Sequence, residues 1–194
     1  IRSLGFNIGR KYSSAYFRAM ETMGEMELGG PETWIAYELR ERSWGQLDRL
    51  THEERMTRFE ADLSRREEDP FLWEPPGGEA LVGAIGRVRD WHSTLWRECG
   101  DMECVVATCH AEIMEVNRVV VERLLPTQYV AMQQDPTQAI WNCALLHYTR
   151  QNPFDANALP LDYLNWVRLV TPPQAHPHGA IGFGWREIVR PTFS

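Results

Sequence analysis

Cys104-Val-Val-Ala-Thr-Cys-His-Ala-Glu-Ile-Met-Glu-Val-Asn-Arg-Val-Val-Val-Glu-Arg-Leu-Leu125 is the stretch from which the fold can be read. A short apolar run, Val105 to Cys109, stops at a polar cluster around His110, and a periodic apolar segment follows at once: Ile113, Val116, Val120 and Leu124. The first part has the length and branching of a buried strand. The second repeats every three or four residues, as one apolar face of a helix does. The stretch therefore predicts a strand, a tight turn and an amphipathic helix, closed by Pro126. In an open α/β sheet, ligands bind at the carboxyl ends of strands, where the next helix begins. His110 stands at that junction, so it can meet an anion held by backbone N–H groups. The alternative is a structural histidine whose hydrogen bonds are satisfied inside the fold.

Working outward, 194 residues suit one domain with a full core. Hydrophobic residues at 43% and charged residues at 24% are ordinary for a soluble globular chain. A net charge of −7 argues against a nucleic-acid footprint, which needs a basic face. Cys99, Cys104, Cys109 and Cys143 show no CxxC spacing and read as thiols of an intracellular, reducing compartment. No apolar run approaches the roughly 18 residues of a membrane span, and no signal peptide opens the sequence.

In chain order, Phe6 to Tyr12 predicts a short strand, with Ser13-Ser14 as the N-cap of a helix over Ala15 to Met23. That helix places Arg18 and Thr22 one turn apart. Trp34 to Leu39 reads as a strand or extended piece, and Thr51 to Glu54 as a capping box opening a charged helix to about Arg66. A long helix is expected from Glu79 to Glu98, with Leu81, Ile85, Val88, Trp91 and Leu95 as its apolar stripe. Ile140 to Tyr148 and Tyr163 to Val170 predict two more strands, and residues 172–194 an irregular tail. The tail's His176 and His178 have the spacing of metal ligands, but no third ligand cluster accompanies them. Strands alternating with helices imply a three-layer α/β/α domain over residues 1–194.

Four segments together resemble a known family. Ser13-Ser14-Ala-Tyr-Phe-Arg18-Ala-Met-Glu-Thr22 resembles the SSxxxRAxxTA segment of the histidine phosphatase superfamily, the phosphoglycerate-mutase-like group. Glu38-Leu-Arg-Glu41-Arg-Ser-Trp-Gly45 resembles its ELxERxxG, and Pro75-Pro-Gly-Gly-Glu79-Ala80 its PGGES. Thr108-Cys109-His110-Ala111-Glu112 resembles its SHG, in a CHGE variant followed by a helix ending in ERxLP. The resemblance implies phosphoryl transfer from a small phosphorylated substrate through a phosphohistidine, with no metal and no cofactor. It implies Arg18 as a phosphate clamp and His110 as a pocket histidine donating to phosphoryl oxygens. Glu41 would be the general acid that protonates the leaving alcohol. Thr22 and Glu79 would support the pocket, and Arg42 and Trp44 would shape its mouth.

Two departures carry consequences. Ala111 stands where the family has Gly, adding a methyl group where backbone approaches the phosphate. The family's opening RHG motif, whose histidine is the nucleophile, is absent from all 194 residues. The expected fold is thus a phosphoglycerate-mutase-like sheet lacking its first, central strand, which would flank Val105 to Cys109. Such a sheet exposes edges that need covering. Three explanations remain: a partial copy of a longer protein, a separate chain or protein partner supplying the strand, or a degenerate relative serving as an interaction subunit.

Overall fold

The computed structural model describes residues 5–172 and 182–191. The chain forms two compact units, Ile1–Val116 and Asn117–Ser194. In the first, β1 (Ile8–Ser13), α1 (Phe17–Glu25), β2 (Thr33–Ile35), α2 (His52–Glu68), α3 (Leu81–Cys99) and β3 (Cys104–Thr108) follow in order, and α4 (Ala111–Glu122) begins. The three strands form a parallel sheet in the order β2-β1-β3. Parallel neighbours need long crossovers, which α1 supplies between β1 and β2, and α2 with α3 between β2 and β3.

The core of this unit forms where the helix stripes meet the sheet. Leu81, Ala84, Ile85, Val88 and Trp91 of α3 are buried, while Leu95 is half-buried. Full burial of a Leu or Val side chain contributes about 1.5–3 kcal/mol. The Tyr12 ring of β1 meets Trp91 edge-on at 6.0 Å. Burial also pushes the Tyr12 hydroxyl up to about 12, with the Cys99 thiol beside it adding to the shift. Helix α2 opens with the expected capping box, Glu54 N–H donating to Thr51 Oγ1 and Thr51 N–H to Glu54 Oε2. It buries no residue, so its charges face solvent.

The second unit contains the end of α4, α5 (Pro126–Gln134) and the antiparallel strands β4 (Leu145–Thr149), β5 (Trp166–Val170) and β6 (Gly182–Glu187). Pro126 does not end the helical region; it opens α5, where its fixed φ and missing N–H suit the first turn. The region expected as irregular tail contains β6, which pairs with β5 from Trp166↔Glu187 to Val170↔Gly182. Gly182 lies at φ +133, and a Cβ there would stand 2.1 Å from the Leu169 carbonyl oxygen, so only glycine fits this register. The mixed α/β class is as expected, and among the described residues each unit carries a three-stranded sheet. His176 and His178 lie outside the described residues.

One feature of α4 runs against its apolar pattern. Arg118 and Glu122, one turn apart, are both buried and joined by two hydrogen bonds of 2.7 and 3.2 Å. Tyr148 Oη donates to Glu122 Oε1 at 3.1 Å, and Arg186 reaches Oε2 at 3.2 Å. A buried carboxylate is tolerated when its lone pairs are filled in this way.

Candidate functional site

The site starts from strand register. Ser13 of β1 pairs with Thr108 of β3, and Ser14 N–H donates to the Thr108 carbonyl at 2.9 Å. The carboxyl ends of both strands therefore finish side by side, which sets Ser14 against His110 although 96 positions separate them. Ser14 Oγ lies 2.9 Å from His110 Nε2. The expected N-cap role of the serines is not what the structure shows: Tyr16 caps α1, without a side-chain bond, and the Ser14 hydroxyl is turned to His110 instead. The His110 carbonyl accepts from Met114 N–H at 2.9 Å, so the ring sits on the residue from which α4 starts. The first amides of that helix have no intrahelical acceptor and carry its positive end.

Arg18 and Glu41 converge on this ring. Glu41 Oε2 stands 3.7 Å from His110 Nδ1 and 3.6 Å from Arg18 Nη2. The Tyr16 ring meets His110 edge-on at 5.1 Å, and the Arg18 guanidinium lies 5.0 Å from the Tyr16 ring centre. Arg18 is 62% exposed whereas His110 is 3% exposed, so the guanidinium is at the opening and the imidazole at the floor. Three residues far apart in sequence thus share one cluster.

Electrostatics set their protonation. Burial raises Glu41 to about 7, with Glu112 adding to the rise and Arg18 and Arg87 opposing it. Burial lowers His110 to about 4, and the positive charges of Arg18 and Arg87 lower it further. Near neutral pH the imidazole is uncharged and Glu41 is close to half-protonated. A carboxyl group poised there can both give and take a proton.

The remaining candidates brace this cluster. Glu79 is held by Arg87 through two bonds of 2.8 and 3.0 Å and by Arg40 at 3.3 Å. Arg87 Nη1 also donates to the Glu38 carbonyl. Sequence reasoning passed over Arg87, because an arginine on the polar side of a helix carries no local signal. Arg42, expected at the mouth, is buried. Its guanidinium donates to Glu112 Oε1 at 2.7 Å, to the Glu79 carbonyl at 2.7 Å and to the Trp73 carbonyl at 3.4 Å. Trp44 Nε1 donates to the other Glu112 oxygen at 2.9 Å, so this pair fastens the 40s segment to the start of α4. Thr22 is exposed and bonds the Arg18 carbonyl at 2.8 Å, within its own helix. Ala111 opens α4 exposed to solvent, with a negative φ that accommodates its methyl group.

Two open clefts lie away from the cluster. One, of about 360 Å³ in the second unit, is lined by Arg118, Met132, Asp135 and Arg186 among others; the other, of about 390 Å³, lies beside Trp73 and Asp69. Neither contains Arg18, Glu41 or His110. Among the described residues no group of three or more His, Cys, Asp or Glu is placed to hold a metal ion, and no helix is long and apolar enough to cross a membrane. What the cluster offers chemically is a guanidinium, a neutral imidazole, a helix N-terminus and a carboxyl group titrating near 7. Those groups suit a tetrahedral oxyanion and a leaving oxygen that needs a proton.

Comparison with known proteins follows the same line. The sequence pattern of the Histidine phosphatase superfamily (branch 1) matches residues 2–153. No curated protein matches the sequence. Among solved structures, a mycobacterial glucosyl-3-phosphoglycerate phosphatase in complex with inorganic phosphate is similar, with a TM-score of 0.60 at 18% identity, over 95% of this chain and 77% of that one. Bacillus stearothermophilus YhfR aligns with a TM-score of 0.59 at 15% identity, over 93% and 76% of the two chains. The alpha-ribazole phosphatase from Shigella flexneri aligns with a TM-score of 0.55 at 11% identity, over 97% and 78%. At such identities the likeness is one of fold.

Proposed function

The chain belongs to the histidine phosphatase superfamily (branch 1), and from that premise we propose that its site is built for phosphoryl transfer from a small phosphomonoester. The observation that supports this reading is the convergence of Arg18, Glu41 and His110 on one cluster. Arg18 would clamp phosphoryl oxygens from the open side, with the helix amides and His110 donating from the floor. Glu41, protonated, would give its proton to the leaving oxygen as the P–O bond breaks. As a carboxylate it would then take a proton from the water that attacks the phosphohistidine, which returns the nucleophile to its free form. On this reading residues 1–194 act as a single domain, in a compartment that keeps the four free thiols reduced.

Among the described residues the other histidines are His52 at the start of α2, His92 on α3 and His147 in β4, none of them in the cluster. Among the same residues β3 hydrogen-bonds to β1 alone, although its run of Cys, Val, Val, Ala and Thr is that of an interior strand. A strand bearing the nucleophilic histidine, added along the free edge of β3 by a further segment or a separate chain, would complete both sheet and site. The second reading, an interaction subunit that keeps the fold without the chemistry, is favoured by the lack of a second histidine in the cluster among the described residues. Orthovanadate binding distinguishes the two. An open phosphoryl site stabilises the fold by about 2.7 kcal/mol at a hundred times Kd. A thermal titration that shows no response to millimolar vanadate sinks the phosphoryl-transfer reading.

A further inference from the structure

The Ser14 hydroxyl has a role that its position in a strand-to-helix turn does not announce. It is fully buried, and its oxygen accepts from Tyr16 N–H at 3.3 Å. Its other partner is His110 Nε2 at 2.9 Å. The neighbouring hydroxyls are engaged elsewhere: Thr108 Oγ1 donates to Ser13 Oγ at 3.0 Å, and Ser13 Oγ donates to the Ser14 carbonyl at 2.9 Å. The Ser14 proton therefore has one acceptor within reach, the Nε2 lone pair. Were Nε2 protonated instead, it would donate into Ser14 Oγ and leave a buried O–H unsatisfied, which disfavours that tautomer.

We propose that Ser14 is a positioning residue that holds His110 as the neutral Nδ1–H tautomer, turned so that Nδ1–H faces the side of the cluster where Glu41 stands. The 3.7 Å gap between Nδ1 and Glu41 Oε2 is too long for a hydrogen bond, so this proton is not tied down and is available to an incoming oxyanion. Burial, together with Arg18 and Arg87, keeps the ring from taking a second proton at neutral pH. The order Ser14–His110–Glu41 imitates the nucleophile, base and carboxylate of a hydrolase triad. Ser14 cannot act as that nucleophile, because its hydroxyl is sealed from any substrate. The reacting face of the ring is the opposite one, at Nδ1.

The tautomer is a property of the chain alone, while its use in anion binding rests on the phosphoryl-site reading above. Long-range proton–nitrogen correlation spectra of the full chain with ¹⁵N-labelled histidine assign the two ring nitrogens of His110 directly. The expected result is a protonated Nδ1 and an unprotonated Nε2. In Ser14→Ala the ring should shift to a mixture of tautomers and vanadate affinity should fall about tenfold, with Ser14→Thr recovering the parent pattern. A protonated Nε2 in the unmodified chain overturns the proposal without any variant being needed. An unchanged tautomer in a folded Ser14→Ala chain overturns it as well. An Nδ1–H ring in a chain that binds no vanadate would leave the proposal standing and remove the phosphoryl-site reading.

Discussion

Glu41 Oε2 and His110 Nδ1 stand 3.7 Å apart, and the fold drives their protonation in opposite directions. The carboxyl group rises to about 7 and the imidazole falls to about 4, burial being the first cause of each shift. Between those two values both groups are predominantly neutral, so the charge facing an anion comes from Arg18 and Arg87. The pair thus has a window in which it is free of negative charge and still holds a proton to donate.

Anion affinity should follow that window. Sulfate stays a dianion across the neutral range, so its binding reports the protein alone. Its affinity should hold steady from pH 5 to 6, then fall by on the order of tenfold by pH 8 as Glu41 ionises beside it. Glu112, the other carboxyl group nearby, is paired with Arg42. Glu41→Gln should remove the decline. Calorimetric titration at four pH values checks this, and an affinity that rises with pH would contradict the assigned Glu41 shift.

Stability should carry the same signature with a definite sign. A folded-state value raised from 4.5 to about 7 means that the Glu41 contribution is present below 4.5 and lost as pH rises through 7. His110 and His147, both lowered from 6.5 to about 4 by burial first, contribute above 6.5 and lose that contribution as pH falls through 4. Glu41→Gln should therefore gain in Tm relative to the unmodified chain as pH goes from 5 to 8. A difference in Tm that stays flat over this range would show that Glu41 is not desolvated.

Arg18→Ala should separate binding from folding. The side chain is largely exposed and its ion pair with Glu41 spans 3.6 Å, so its loss should change stability by less than about 0.5 kcal/mol. Vanadate affinity should nevertheless drop at least about tenfold, since a charge-assisted contact contributes roughly 1.5–3 kcal/mol. Parallel melting curves and titrations read both quantities.

Gly45→Ala should damage the frame that carries Glu41. Gly45 lies at φ +56, and a Cβ there would stand 2.3 Å from the Pro76 carbonyl oxygen and 2.5 Å from Gly77 C and Gly78 N. Backbone cannot move aside as a flexible side chain can, so the expected loss is about 2–4 kcal/mol. Urea unfolding measures it; a loss below about 0.5 kcal/mol would show that the two loops do not approach in this way.

Turnover by the chain itself should be absent. Para-nitrophenyl phosphate should be hydrolysed no faster by these 194 residues than by the His110→Ala variant, since no described histidine occupies a nucleophile position. Supplying a strand that carries an Arg-His-Gly sequence should create activity, which Glu41→Gln then lowers on the order of 10²–10⁴-fold. Robust turnover by the unsupplemented chain would mean that the nucleophile lies elsewhere.

The sequence by itself determined the elements whose signals are local. The strand and helix around His110 follow from a β-branched run and a three-to-four-residue repeat, and the structure places them at Cys104–Thr108 and Ala111–Glu122. The α2 capping box and the α3 stripe were legible for the same reason, because each partner lies within a few residues of the next. Motif resemblance added Arg18, Glu41 and His110 as a set, without any distance between them. Only the tertiary structure decided that they meet, because the β1–β3 register joins chain segments about 95 residues apart. It decided that the Ser14 hydroxyl faces His110 rather than capping α1, and that Arg42 is buried against Glu112 rather than lining a mouth. It also decided that Gly182–Glu187 is a strand, since two glycines in six residues give no local β signal and the pairing comes from β5. Propensity and periodicity act over a few residues, whereas burial and charge at the site come from segments brought together by the fold, and those set the protonation of Glu41 and His110.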